Sequence, residues 1–278
     1  MEGGSDEEVD EKMKKRRFEF ADGLLSCFVP ARGLIGCSRA SLKGSLSHIK
    51  RLGFEPRTVL DVGAGTGTPE LYRVFPKARH ILIEPLEENR LRLEEVARKY
   101  GNVEYILAAA AGRSGKVTIN VHPDLMGSSI YLENEDSDVN GFERIVPAIT
   151  LDELHRQGKI QDPSLLKVDV QGGELEVLSG SEEVLKGTEY AVMECSLFRF
   201  FKGGPQIADV IDFMRERGFS IYDFFGFQYR LLDGAMSQVD IAFVKEDGRF
   251  RRSHAYATKE QRDLQNERFL RKPVNRRR

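Results

Sequence analysis

Apolar positions follow two alternating periods along the chain. From Ser41 to Leu52 they recur at helical spacing, as Leu42, Leu46, Ile49 and Leu52, and Gly53 supplies a stop. The next apolar runs are short and nearly unbroken, over 57–62, 80–84, 103–107, 165–170 and 190–194. Runs of this length, rich in Val, Ile and Leu, predict strands buried on both faces. Between them the helical period returns near Pro69–Phe75. It returns again from Pro85, with Leu93, Val96, Ala97 and Tyr100 as a core face and Gly101 as the stop. A further helix is predicted from Gly172, interrupted at Gly180. The last covers Pro205–Arg217, with Ile207, Ala208, Ile211 and Met214 on one face and Gly218 behind it. Lys116–Val121 and Ser129–Leu132 predict short strands of an insertion with polar turns around Glu133–Asn140. Thr150-Leu-Asp-Glu153 predicts a capping box opening a short helix. Phe219–Phe224 and Val239–Val244, with no helix between them, predict a hairpin. The whole is an α/β pattern: a doubly wound sheet, mostly parallel, with a C-terminal antiparallel hairpin.

Composition adds little to that picture, but charge adds something. The chain has 278 residues, 40% of them hydrophobic, enough for a sizeable core. The pattern divides it into an N-terminal extension over 1–38, partly disordered, one domain over 39–246 and a tail over 247–278. Residues 245–278 hold twelve Lys and Arg against five Asp and Glu, a balance of +7. A chain total of −2 then leaves −9 on the rest. A basic tail can meet an anionic partner or fold back on an acidic body. Lys14–Arg17 is a weak candidate localisation signal. No apolar run reaches the ~18 residues of a membrane span. The acidic opening argues against a secretory signal, and a cytoplasmic location is expected. Cys27, Cys37 and Cys195 are an odd number without C-x-x-C spacing. They predict neither a disulfide framework nor a structural zinc site, leaving Cys27–Cys37 pairing as a minor alternative.

The densest chemical signal is VLDVGAGTG at 59–67. A strand ends at Asp61, and Gly63, Gly65 and Gly67 follow. Glycines let backbone turn sharply and approach a ligand without a Cβ in the way. The pyrophosphate fingerprint G-x-G-x-x-G is not met, because the third glycine comes one residue early and Thr68 stands where it is required. An acid at the strand end suits an ammonium better than a diphosphate, so Asp61 can hold one directly or through water. Glu84, ending the second strand, stands where an acid binds ribose hydroxyls. A nucleoside with a charged amino-acid arm and no pyrophosphate is S-adenosylmethionine. The competing reading is a tight turn with incidental acids.

The chain resembles the class I methyltransferases, and among them the FkbM family. The residues that carry the resemblance are VLDVGAGTG (59–67), IEP (83–85), AAAAG (108–112), GSS (127–129), ITLDEL (149–154), LLKVDVQGGELEVLSG (165–180), VMEC (192–195) and QVDIAFV (238–244). The resemblance implies a Rossmann-like sheet of seven strands, S-adenosylmethionine as cofactor, and methylation of a hydroxyl on a sugar or other small metabolite. The cofactor set is then Asp61, Gly63, Gly65, Thr66, Gly67, Glu84, Ala109 and Asp169. One position departs from the family, where Gln171 stands in place of the usual Glu. Gln cannot act as a base and is a poorer ligand for a hard cation.

Methyl transfer to an alcohol needs positioning and a group to take the proton. Three carboxylates fall beyond the fourth and fifth strands: Asp169, Glu174 and Glu194. Asp169 is either a cofactor- and substrate-facing acid, and so a candidate base, or a helix cap. Glu174 sits in a first helical turn, where the dipole already favours a carboxylate. Glu194 with Asp169 offers two oxygen ligands for a divalent cation, too few to make a metal site the favoured reading. His122, in the insertion near Gly127-Ser128-Ser129, is the histidine considered as a general base, against an exposed loop histidine. Phe198–Phe201 and Phe224–Phe227 offer rings to a substrate face or to packing, and Asp240 calls for a buried partner. The rival readings are an RNA methyltransferase using the basic tail for phosphates, and a catalytically silent cofactor- or partner-binding protein.

Overall fold

The computed structural model describes residues 39–135 and 137–271. The extension 1–38 with its Lys14–Arg17 cluster, Cys27 and Cys37, and Arg276–Arg278 lie outside the described residues. Helix α1 (Leu42–Arg51) starts at Ser41, whose hydroxyl accepts the Gly44 N–H at 3.2 Å. Then come β1 (Thr58–Val62), α2 (Pro69–Val74), β2 (Arg79–Glu84), α3 (Arg90–Tyr100) and β3 (Val103–Leu107). A small three-stranded sheet follows, built of β4 (Ala109–Ala110), β5 (Gly115–Val121) and β6 (Phe142–Ile149). The chain continues through α4 (Leu151–Arg156), β7 (Pro163–Val168), α5 (Glu174–Ser179), α6 (Glu182–Gly187), β8 (Tyr190–Ser196) and α7 (Ile207–Glu216). It ends in β9 (Phe219–Tyr229), β10 (Met236–Lys245) and α8 (Lys259–Arg271).

The main sheet has seven strands in the order β3-β2-β1-β7-β8-β10-β9. The first five pair in parallel, and β10 runs antiparallel to both β8 and β9. The order reverses between β1 and β7, which opens a crevice at the carboxyl ends of the strands. Alternate residues divide the core. Leu60, Val62, Leu166, Val168, Ala191 and Met193 pack on one face, and Val59, Leu165, Tyr190 and Val192 on the other. Gly101 ends α3 in the left-handed conformation (φ +70°), as its place behind the helical run predicts.

The structure changes four expectations. Strand β6 was not foreseen, because Phe142–Ile149 buries only Val146 and Ala148 and carries Pro147. It, and not Ser129–Leu132, pairs along β5; Ser129 makes a single bridge to Asn120. Helix α3 begins at Arg90 after a short 3₁₀ turn over Glu87–Asn89, and of its expected core face Leu93 alone is fully buried. Helix α7 buries Val210 and Met214, with Ala208 exposed.

The basic stretch after 246 begins docked on the body. Arg249 donates to the Gly53 carbonyl at 2.8 Å. The Phe250 ring meets those of Phe54, Tyr190 and Tyr222 at centroid distances of 5.5, 5.9 and 5.5 Å. Phe250→Ala is expected to destabilise the domain by about 1–3 kcal/mol, less than full burial of a Phe is worth because this ring is only half-buried. Thermal or urea unfolding measures it.

Candidate cofactor and acceptor site

The face of the sheet that carries Val59, Leu165 and Val192 turns polar as it reaches the crevice. Asp61 follows Val59 on that face, Lys167 follows Leu165, Glu194 follows Val192, and Asp240 precedes Ala242. Register places Asp61 beside Lys167 and Glu194 opposite Asp240. The row needs internal compensation, because unpaired charge in such a place is costly. Lys167 provides it, with its ammonium 3.5 Å from Asp61 and 3.2 Å from Asp169. Burial pulls the Lys167 ammonium down, but Asp169 and Asp61 raise it further, so it stays charged. Lys167 relieves Asp240 and the Gln171 amide relieves Glu194, but in each case by less than burial and like charge oppose. Burial pushes Glu194 well above the carboxylate range, and the charges of Asp169 and Asp240 push it further. Burial and Asp169 raise Asp240 to about 7.

Above this row lies a cavity of about 500 Å³. One end is formed by Gly63, Gly65, Glu84 and Asn89, and the other by Asp169, Gln171, Glu194, Gln228 and Gln238. Its outer wall is the insertion, from Asp124 to Ile130, with Ala109 and Ile119. Three strand steps separate β2 from β8, so at ~4.8 Å per strand the two ends stand roughly 14 Å apart. The glycine loop enters the first end in left-handed backbone, φ +71° at Gly63 and +53° at Gly65. A Cβ on Gly63 would sit 1.7 Å from the Asp169 carbonyl oxygen. One on Gly65 would meet nothing nearer than the Met126 sulfur at 3.8 Å. Gly63 thus locks the loop to the β7 turn, and Gly65 leaves room for a ligand.

Glu84 closes the first end. It accepts the backbone N–H groups of Gly65 (2.8 Å) and Leu86 (3.0 Å) and the Asn89 amide (3.1 Å). Burial raises its pKa against those three bonds. At the other end Gln171 is central. Its backbone is left-handed (φ +53°), its carbonyl accepts the Ser129 hydroxyl at 2.6 Å, and its amide donates to Asp169 (3.0 Å) and to Glu194 (2.8 Å). Gln228 and Gln238 donate to Glu194 as well, at 2.8 and 2.9 Å. One buried carboxylate therefore holds three carboxamides.

Several expected site residues fall elsewhere. Asp61 is fully buried and does not line the cavity. Its carboxylate faces Thr68, Tyr72 and Lys167 beneath the glycine loop, so no direct path runs from it to an ammonium in the cavity. Thr66 is exposed, and Gly67 packs toward Tyr72; neither lines the cavity. His122 turns its ring to Asp124 (2.6 Å) and Gly127 and shapes the wall from behind. Glu174 is 4% exposed and accepts the Gly172 N–H at 3.1 Å, away from the cavity. Cys195 is buried, and burial holds its thiol protonated. Among the described residues no group of three or more His, Cys, Asp or Glu side chains is placed to hold a metal ion.

Glu174 gives a pH prediction. Burial pushes it up to about 7 in spite of backbone hydrogen bonds. Between the unfolded carboxylate value, ~4.3, and that point the folded chain keeps a proton that the unfolded chain loses. Stability from this group is therefore complete below about pH 4 and lost as pH rises through 7. Glu174→Gln is expected to gain about 1–3 kcal/mol relative to the parent between pH 5 and pH 8. Paired unfolding curves at the two pH values measure it; an unchanged difference removes Glu174 as the cause.

Gln228, Gln238, Asn89 and Lys167 were given no role from the sequence. The alternation of the polar row with core residues along β7 and β10 signals Lys167 and Gln238 once the strands are laid side by side; Gln228 on β9 and Asn89 in the 3₁₀ turn carry no such signal. The family model "Methyltransferase FkbM domain" matches residues 61–221, more than half of the chain, a span that holds the glycine loop and the strand-end Glu84. The chain belongs to the FkbM family of S-adenosylmethionine-dependent methyltransferases. Two relatives of this FkbM protein are similar in sequence. The hexuronic acid methyltransferase AglP of Haloferax volcanii is 28% identical over 141 residues, 50% of this chain and 56% of AglP. The 2-O-methyltransferase NoeI of Sinorhizobium fredii is 23% identical over 218 residues, 73% of this chain and 84% of NoeI. A crystal structure of precorrin-6y C5,15-methyltransferase from Geobacter metallireducens overlays the FkbM chain at TM-score 0.42 and 14% identity, over 78% of this chain and 93% of that one. Among the described residues no helix is long and apolar enough to cross a membrane.

Proposed function

We propose that the chain methylates a hydroxyl oxygen of a sugar or sugar-bearing small molecule, with Asp169 as the proton acceptor. The observation that carries this reading is the two-ended cavity, with a glycine loop and Glu84 at one end and the Asp169–Gln171–Glu194 network at the other. The first end fits S-adenosylmethionine. Its loop leaves open space at Gly65, and Glu84 spends three of roughly four acceptor positions on N–H groups, leaving one toward a ribose hydroxyl. Asp61 contributes from below the loop, through its charge and its bond from the Thr68 hydroxyl (3.2 Å). When bound, the cofactor supplies a sulfonium-activated methyl group for in-line displacement.

The residues of this chain then need only orient the acceptor and take its proton. Asp169 faces the cavity with about a third of its side chain exposed, steadied by Lys167 on one oxygen and Gln171 on the other. An acceptor hydroxyl can donate to it and lose its proton there as the oxygen–carbon bond forms. Gln171 does not silence this arrangement. Its amide separates two carboxylates that a third acid would crowd, and this disfavours the reading of a silent binding protein. The names of AglP and NoeI, a hexuronic acid methyltransferase and a 2-O-methyltransferase, support a sugar hydroxyl as the target.

The test has two parts. Calorimetry is expected to register S-adenosylmethionine binding, weakened by Gly65→Arg; no binding would end the proposal. Incubation of the full chain with methyl-labelled cofactor and a glycan mixture, followed by mass spectrometry, is expected to give methylated sugar. Label appearing only in added RNA would favour the rival enzyme reading.

A further inference from the structure

The ionisable side chains that line the cavity are all acids, with Glu194 held toward its neutral form by burial. Glu84, Asp124, Asp169 and Glu194 face it, and among the described residues no Lys, Arg or His side chain does. Lys167 lies below, committed to Asp61 and Asp169. Arg230, two residues beyond Gln228, is held by both oxygens of Asp233 and lies 3.9 Å from the centre of the Phe198 ring. Arg199 gives its Nε to Gln206. The hydrogen-bonding character is equally one-sided. Gln171, Gln228 and Gln238 turn their NH₂ groups to carboxylates, since the opposite orientation would set carbonyl against carboxylate. Their three side-chain carbonyls accept no hydrogen bond among the described residues. The acceptor end thus presents acceptors in excess and asks its ligand for O–H or N–H donors.

An acidic ligand would lose hydration there, meet the Asp169 charge, and find fewer donors than acceptors to replace the water it gave up. A neutral polyol or an ammonium-bearing sugar finds partners on every side. Resting on the carbohydrate reading above, we propose that the acceptor end of this cavity selects neutral or amino sugars and excludes hexuronic acids and sugar phosphates. The selection works by repulsion of the wrong ligand as much as by attraction of the right one.

Matched acceptors test this directly. The full chain, with methyl-labelled S-adenosylmethionine, is offered methyl hexosides, the corresponding methyl hexuronides and a methyl glucosaminide. The neutral or amino member is expected to show a kcat/KM at least about tenfold above its hexuronide. Gln238→Lys, which brings an ammonium to the acceptor end, is expected to narrow that ratio; calorimetric cofactor binding confirms that the variant is folded. A parent enzyme that turns over the hexuronide as well as the hexoside, or better, overturns the proposal. Failure of the carbohydrate reading looks different: no glycoside is methylated while 4-hydroxybenzyl alcohol is. The charge rule is then read from that alcohol against 4-(hydroxymethyl)benzoate, and preference for the carboxylate overturns it.

Discussion

Asp169→Asn is expected to lower kcat by about 10²–10⁴-fold while the affinity for S-adenosylmethionine stays within a few-fold. The substitution keeps size and shape but removes the proton acceptor. The neighbours can accommodate it, because Lys167 retains Asp61 at 3.5 Å and the Gln171 amide retains Glu194. A second readout follows the Asp169 charge through its neighbour Glu194. The Asp169 charge helps to hold Glu194 above the carboxylate range, after burial, the largest cause. Without it Glu194 titrates at lower pH, so the residual activity is expected to show its alkaline-going limb shifted down. Gln171→Glu works in the opposite direction, setting a third acid between Asp169 and Glu194 and moving that limb up. Single-turnover rates across pH measure both. Full turnover in Asp169→Asn would remove this residue from proton transfer.

Gly63→Ala is expected to abolish cofactor binding and to lower stability by more than about 3 kcal/mol, whereas Gly65→Ala costs only about 1–2 kcal/mol. Both positions have positive φ, so both carry the left-handed penalty of a residue with a Cβ. The difference lies in what the Cβ meets. At Gly63 it is the backbone of Asp169 at 1.7 Å, which cannot yield without separating β1 from the turn after β7. At Gly65 it is open cavity. Gly65→Ala therefore folds and loses affinity for the cofactor in proportion to the space it fills. Unfolding curves and calorimetry on the two variants check the pair. Equal destabilisation would mean that the close approach at Gly63 is not what fixes the loop.

Much of the architecture was legible in the chain. Short apolar runs such as Leu165–Val170 and Tyr190–Glu194, set between helical stretches, gave the parallel strands, because a strand covered on both faces has no polar side to display. Gly101 and Gly218 marked helix ends through the backbone conformation that only glycine adopts freely. The hairpin of β9 and β10 followed from two strand patterns with no helix between. Strand β6 was missed because its neighbours cover only two of its eight side chains, so its sequence lacked the signal on which strand reading depends.

For the site, sequence by itself determined which chemistry was on hand: a glycine loop after a strand-end acid, a second strand-end acid at Glu84, and three carboxylates, Asp169 and Glu174 after β7 and Glu194 near the end of β8. Tertiary structure alone decided which way each one faces. Asp61 and Glu174 were drawn into the protein, His122 became a support for the wall, and Gln171 from the turn after β7, Gln228 from β9 and Gln238 from β10 converged on Glu194. The physical reason is that a strand's period fixes the side of the sheet on which a residue lies, while burial and partners depend on the strands beside it. Those neighbours, β1 against β7 and β8 against β10, are more than forty residues apart along the chain, and no local pattern records them.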